Sequence, residues 1–145
     1  MARNKIDLPE HFSFTTEIPV RITDLNYGAH VGNDTILSLI HEARMQWLTS
    51  LGYSSELNIE GIGLIMTDAS IEFKNELFYG EKISASLAVA GLTKVGFDIY
   101  YKLEKGNSSE RSVIALGKTG MLCFDYQKRK ITSVPQLFRS KLNHV

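Results

Sequence analysis

The sequence predicts an α+β fold in which a curved antiparallel sheet wraps around one long helix. Three observations predict it: a helical apolar stripe between residues 35 and 50, period-two alternation over most of the chain beyond residue 68, and no repeat or linker to interrupt them. A lone helix must bury its apolar face, and the concave side of the sheet is the only large apolar surface on offer. At 145 residues the chain is sized for one domain, spanning 1–145, and at that length roughly two-thirds of the unfolded surface can be buried.

Thr15 to Thr23 reads as the first strand, with Ile18, Val20 and Ile22 on one face and Glu17, Arg21 and Thr23 interleaved. Asp24-Leu25-Asn26-Tyr27-Gly28-Ala29-His30-Val31-Gly32-Asn33-Asp34 follows. Its glycines permit positive φ and its Asn and Asp favour turns and caps, so it is a loop feeding a helix. From Thr35 to Ser50, Ile36, Ile40, Ala43 and Trp47 recur at helical spacing. Leu37, Leu39 and Leu48 widen the stripe, and Gly52 stands where a C-terminal cap belongs.

Alternation then returns. Ala69, Ile71 and Phe73 oppose Ser70, Glu72 and Lys74; Ile83, Ala85, Leu87 and Val89 oppose Lys82, Ser84 and Ser86. Val95, Phe97, Ile99, Tyr101 and Leu103 alternate with Asp98, Tyr100, Lys102 and Glu104. The Gly106-Asn107-Ser108-Ser109 turn leads to a strand from about Arg111 to Asp125, and Lys128-Arg129-Lys130 is a solvated hairpin turn. The expected order is strand, loop, long helix, then an antiparallel meander of strands to the end.

Lys+Arg 16 balances Asp+Glu 16, so the chain has no global field to hold a phosphate backbone or an anionic membrane. Nucleic acid is disfavoured as a partner. Cys123 is the sole cysteine, which excludes an intrachain disulfide and fits a reducing, cytoplasmic setting; alternating with Met121 and Asp125, it reads as a half-buried strand thiol. Met1 to Phe14 carries charges with no apolar stretch after them, and the longest aliphatic run, Ile62 to Met66, holds a glycine, so neither secretion nor membrane spanning is expected. His41-Glu42-x-x-Met45 begins like a zinc-protease helix but lacks the second histidine, so no metal is expected. No glycine-rich loop with a lysine supports nucleotide hydrolysis.

The element order, together with Val20-Arg21, Asp24-Leu25-Asn26, His30-Val31-x-Asn33 and Glu42-Ala43-Arg44, resembles the hotdog fold of the 4-hydroxybenzoyl-CoA thioesterase-like family of acyl-CoA thioesterases. Ala69-Ser70-Ile71-Glu72-Phe73 through Tyr79-Gly80-Glu81 is similar to that family's second strand and following turn. The likeness covers about Phe14 to Ser133. It implies a homodimer with a continuous sheet, often paired into a tetramer, with active sites at the interface and the pantetheine arm between protomers. It implies an acyl-CoA or acyl-carrier protein thioester as substrate, no further cofactor, and a place in fatty acid metabolism. A covered sheet edge also suits the chain, because an unpaired edge strand is a liability.

Thioester hydrolysis needs a carbonyl polariser and a group that delivers water. Backbone N–H groups around Gly32 to Thr35 supply the first if they open the helix; any helix start has such amides, and most bind only a cap or water. Gly28 and Gly32 allow close approach, and with Val31, Asn33 and Asp68 they are the expected substrate-binding residues. Asn33 is also the natural N-cap. Asn26 occupies the family's acidic catalytic position, and an amide neither takes a proton nor attacks a carbonyl, though it orients water or the thioester oxygen. The base then falls to Asp24, which reads equally as a turn residue, or to Glu42, which reads equally as an exposed helical side chain near Arg44 and Gln46. His30, just before the helix, polarises a carbonyl or accepts a proton, or else bonds a neighbouring carbonyl. Asp68, isolated in an apolar strand, faces solvent, bonds the helix end or belongs to the facing subunit's site.

Two other readings stand beside hydrolysis. Asp24-x-Asn26 with His30 is similar to the Asp-x-Asn-Pro-x-His loop of enoyl-CoA hydratases, without the proline and with the histidine one residue too far along. Asn26 in place of a carboxylate suits a non-catalytic acyl-CoA binding module.

Overall fold

The computed structural model describes residues 5–27, 31–106 and 109–143. Strand β1 (Phe14–Pro19) leads through a single 3₁₀ turn (Ile22–Asp24) to helix α1 (Asn33–Ser50). Strands β2 (Gly63–Phe73), β3 (Lys82–Ala90), β4 (Gly96–Lys105), β5 (Ser112–Asp125) and β6 (Lys130–Ile131) follow, and helix α2 (Gln136–Asn143) closes the described chain. The sheet runs β1-β3-β4-β5-β2, with β6 on the end of β5. All its pairings are antiparallel.

Strands β3, β4, β5 and the short β6 form the expected meander, whereas β1 and β2 lie at opposite edges. The first strand stops at Pro19 rather than Thr23. Proline lacks an N–H for the ladder and sits comfortably on an edge strand, and the Arg21–Asp24 contact then tightens the chain into the 3₁₀ turn. Ile22 is therefore exposed, not on the core face.

Along α1 the predicted stripe holds. Ile36, Leu39, Ile40, Ala43, Trp47 and Leu48 are buried against Ile83, Ala85, Leu87, Ile99, Tyr101 and Leu103 of the sheet. Full burial of each large apolar side chain contributes roughly 1.5–3 kcal/mol. The helix ends as expected, with Gly52 at φ 98° and Tyr53 donating its amide to Leu48 O at 3.0 Å.

Helix α2 departs from the expectation of strands to the end. Its Phe138 is wholly buried among Trp47, Tyr53 and Phe97, with ring centroids 6.5, 5.4 and 5.8 Å away. Lys141 Nζ donates to Leu51 O at 2.8 Å, capping the last turn of α1. The far end of the helix is thus plugged by aromatics.

Candidate active site

The loop before α1 is closed at its base. Leu25 and Val31 form an isolated antiparallel bridge, and Val31 donates its amide to Leu77 O at 2.8 Å, tying the loop to the β2–β3 connection. Bridged chain therefore ends at Val31. Gly32, with φ −72° and ψ 157°, is the N-cap, so the expected cap Asn33 is instead the first helical residue. Glycine at this position serves without a side-chain bond.

The amides of Thr35 and Ile36 both donate to Gly32 O, at 3.1 and 3.3 Å. Those of Asn33 and Asp34 have no acceptor among the described residues. A Cβ built on Gly32 would lie 2.7 Å from Asp34 Oδ1 and 3.7 Å from Asn26 Nδ2, so both side chains converge over the bare face of this glycine.

Two clefts flank this point. One, of ≈ 250 Å³, runs from Asn33 between Ile36, Phe73, Leu77 and Ile114. The other, of ≈ 340 Å³, runs along α1 beside β2 and is lined by Asp34, Leu37, Ser38, His41, Arg44 and Met66. Both open toward the edge strand β2, whose residues 66–70 are exposed.

The anticipated site residues separate into groups. Asn26, Val31, Gly32 and Asn33 meet at the helix start. Gly28 and His30 lie outside the described residues. Asp24 is 3% exposed and committed to Arg21, accepting from its amide at 2.8 Å and from Nη2 at 3.1 Å. Burial pushes its carboxyl up, but the side-chain and backbone hydrogen bonds from Arg21 and the nearby charge outweigh this and hold it below the ordinary carboxylate value. Glu42 is exposed; it accepts from Gln46 Nε2 at 2.6 Å, and Gln46 in turn accepts from Thr16 Oγ1 on β1. Its Cα stands nine residues from Asn33, roughly 13 Å along the helix axis. Asp68 faces solvent beside a bulge in β2, accepting from Thr67 Oγ1 at 2.9 Å.

A polar network behind the second cleft was not anticipated. Arg44 is 5% exposed, donating from Nε to Glu56 Oε2 at 3.1 Å and from Nη1 to the Tyr101 hydroxyl at 3.2 Å. Tyr101 shares a 2.8 Å hydrogen bond with Thr119, and His41 Nε2 lies 2.7 Å from Glu56 Oε1. Burial tends to lower the Arg44 pKa, but Tyr101 and Glu56 raise it above its ordinary value, so the cation persists under the cleft. Among the described residues no group of three or more His, Cys, Asp or Glu side chains converges as a metal site, and no helix is long and apolar enough to cross a membrane.

The family model of the thioesterase-like superfamily matches residues 20–142, from the end of the first strand through α2. The chain belongs to this superfamily. A 1,4-dihydroxy-2-naphthoyl-CoA hydrolase of Synechocystis is 24% identical over 132 residues, covering 90% of this chain and 94% of its own. A solved 1,4-dihydroxy-2-naphthoyl-CoA thioesterase from Synechocystis superposes with a TM-score of 0.80 at 24% identity, over 91% of this chain and 96% of the other. A Staphylococcus aureus protein solved in complex with CoA gives a TM-score of 0.81 at 14% identity, over 97% of this chain and 87% of that one. At these identities the structural likeness establishes the architecture: this is the hotdog fold, with α1 as its central helix and α2 the second of its two helices.

Proposed function

We propose that the protein hydrolyses the thioester of an acyl-CoA, or of an acyl-carrier protein, to free acid and thiol. The observation that carries this reading is the pair of amides at Asn33 and Asp34, unspent among the described residues, near Asn26 and between two clefts, one lined by Asn33 and the other by Asp34. Amides at the positive end of a helix stabilise the oxyanion that forms when water adds to a thioester carbonyl. Gly32 permits close approach of the carbonyl, and Asn26 Nδ2 is placed to orient water or the thioester oxygen. Membership of the thioesterase-like superfamily supports the reaction class, and the reaction needs no cofactor.

Glu42 is too far along α1 to serve the amides of its own helix. A second copy is part of the proposal. Strand β2 is eleven residues long with one edge unpaired, and a twin strand there removes an exposed edge and roofs the clefts. The lone cysteine supports a cytoplasmic setting. As for the acyl group, the ≈ 250 Å³ cleft exceeds the ~150 Å³ cavity that takes up one benzene ring. A two-ring aroyl group, as in the Synechocystis relative, or a fatty acyl of medium length matches that space.

Asn26 in place of an acid favours a second reading, a binding module that holds acyl-CoA without cleaving it. Free-thiol release from aroyl-CoA and fatty acyl-CoA substrates of graded size separates the two. Hydrolysis releases thiol in step with free acid. Tight binding without release would select the binding module, and hydration of crotonyl-CoA without release would select a hydratase.

A further inference from the structure

We propose that Asp34 is the carboxylate of this site, supplying the general base that Asn26 is unable to be; the proposal rests on the hydrolytic reading above. Three observations carry it. Asp34 is the second residue of α1, so its carboxylate leaves the backbone beside the two unspent amides, one of which is its own. Its Oδ1 lies over the face of Gly32 that Asn26 Nδ2 also approaches, and any side chain at Gly32 would displace it. Among the described residues it has neither an ion-pair nor a hydrogen-bond partner, and it lines the ≈ 340 Å³ cleft with Ser38 and His41.

The three other anticipated carboxylates are less well placed. Asp24 is buried and bonded three ways to Arg21. Glu42 stands roughly 13 Å down the helix axis, and Asp68 is on the sheet edge over Gly120. Asp34 alone among these four positions is both unspent and adjacent to the amides.

In the step this implies, a water bridging Asn26 and Asp34 gives one proton to the carboxylate as its oxygen bonds to the carbonyl carbon. The carbonyl π pair moves onto oxygen, where the Asn33 and Asp34 amides hold it. Collapse re-forms the C=O bond and breaks C–S, and the departing sulfur takes the proton back from Asp34. Free acid and thiol result, with no net change in oxidation state.

An acidic residue in a first turn also complements the helix dipole without touching chemistry, so the test must separate the two roles. With an acyl-CoA that the wild-type protein cleaves, kcat, KM, the kcat–pH profile and the thermal midpoint are measured for D34N, N26D and N26D/D34N. General-base loss lowers kcat of D34N by about 10²–10⁴, with KM and thermal midpoint close to wild type and the acidic limb of the profile gone. N26D/D34N, which returns a carboxylate to the neighbouring position, recovers much of the rate and regains that limb. D34N with unchanged kcat, or with a rate loss matched by unfolding, overturns the assignment while leaving hydrolysis intact. A wild-type protein that releases thiol from no acyl-CoA overturns the hydrolytic reading itself.

Discussion

The Asp24 carboxylate and Arg21 close on each other across one turn, with Arg21 N donating to Oδ2 at 2.8 Å and Nη2 to Oδ1 at 3.1 Å. This clasp turns the chain out of β1 and aims the loop at the helix start. Because the folded-state pKa of Asp24 is lowered, its contribution to stability is present in full above the unfolded carboxylate value, ~3.9, and fades as pH falls through the folded one. Asp24→Asn is therefore expected to lower the thermal midpoint at pH 7 and to match wild type increasingly closely below about pH 4. Thermal unfolding of both proteins between pH 3 and pH 7 checks this.

Among the described residues Arg44 and Glu56 form the most buried ion pair, with side chains 6% and 16% exposed. Removing one member strands the other, so Arg44→Met is expected to cost about 3–5 kcal/mol, and pairing it with Glu56→Leu to recover a large part. Urea denaturation of the two single variants and the double variant gives the coupling directly. Additive losses would mean that the pair is solvated in solution.

Cys123 is fully buried, and burial pushes its thiol up to about 11. Little thiolate exists at pH 8, so disulfide-exchange reagents are expected to label the native protein slowly and the urea-unfolded protein quickly and stoichiometrically. Fast labelling of the native state would place Cys123 on an accessible surface.

Much of this fold is legible residue by residue, because alternation is informative wherever a strand has one covered face. Phe97, Ile99, Tyr101 and Leu103 of β4 are all buried, as their spacing requires. Helix α2 escaped for a physical reason: its eight residues are too few for periodicity to stand out, and its place depends on Phe138 entering a cluster whose members lie far away in sequence. Pro135, followed by Phe138 and Leu142 one turn apart, was the available signal. The helix start shifted from Thr35 to Asn33 because the Leu25–Val31 bridge and the Leu77 carbonyl set where bridged chain ends. Sequence spacing registers neither. The loop is legible as the link from β1 to α1, but the standing of its carboxylates depends on partners: Asp24 is spent and Asp34 is not, a difference that only the folded neighbourhood of Arg21 and Gly32 creates.

In the proposed reaction, main-chain amides at the start of α1 hold the developing oxyanion. Asn33→Pro removes one of them cleanly: proline is tolerated at a first helical position, and Gly32 at φ −72°, ψ 157° already has the extended conformation that a residue before proline needs. With Asn33→Ala as the control for the side chain, kcat for acyl-CoA cleavage by the proline variant is expected to fall a further ~10²–10³, at equal thermal stability. Equal kcat in two folded variants would contradict the claim.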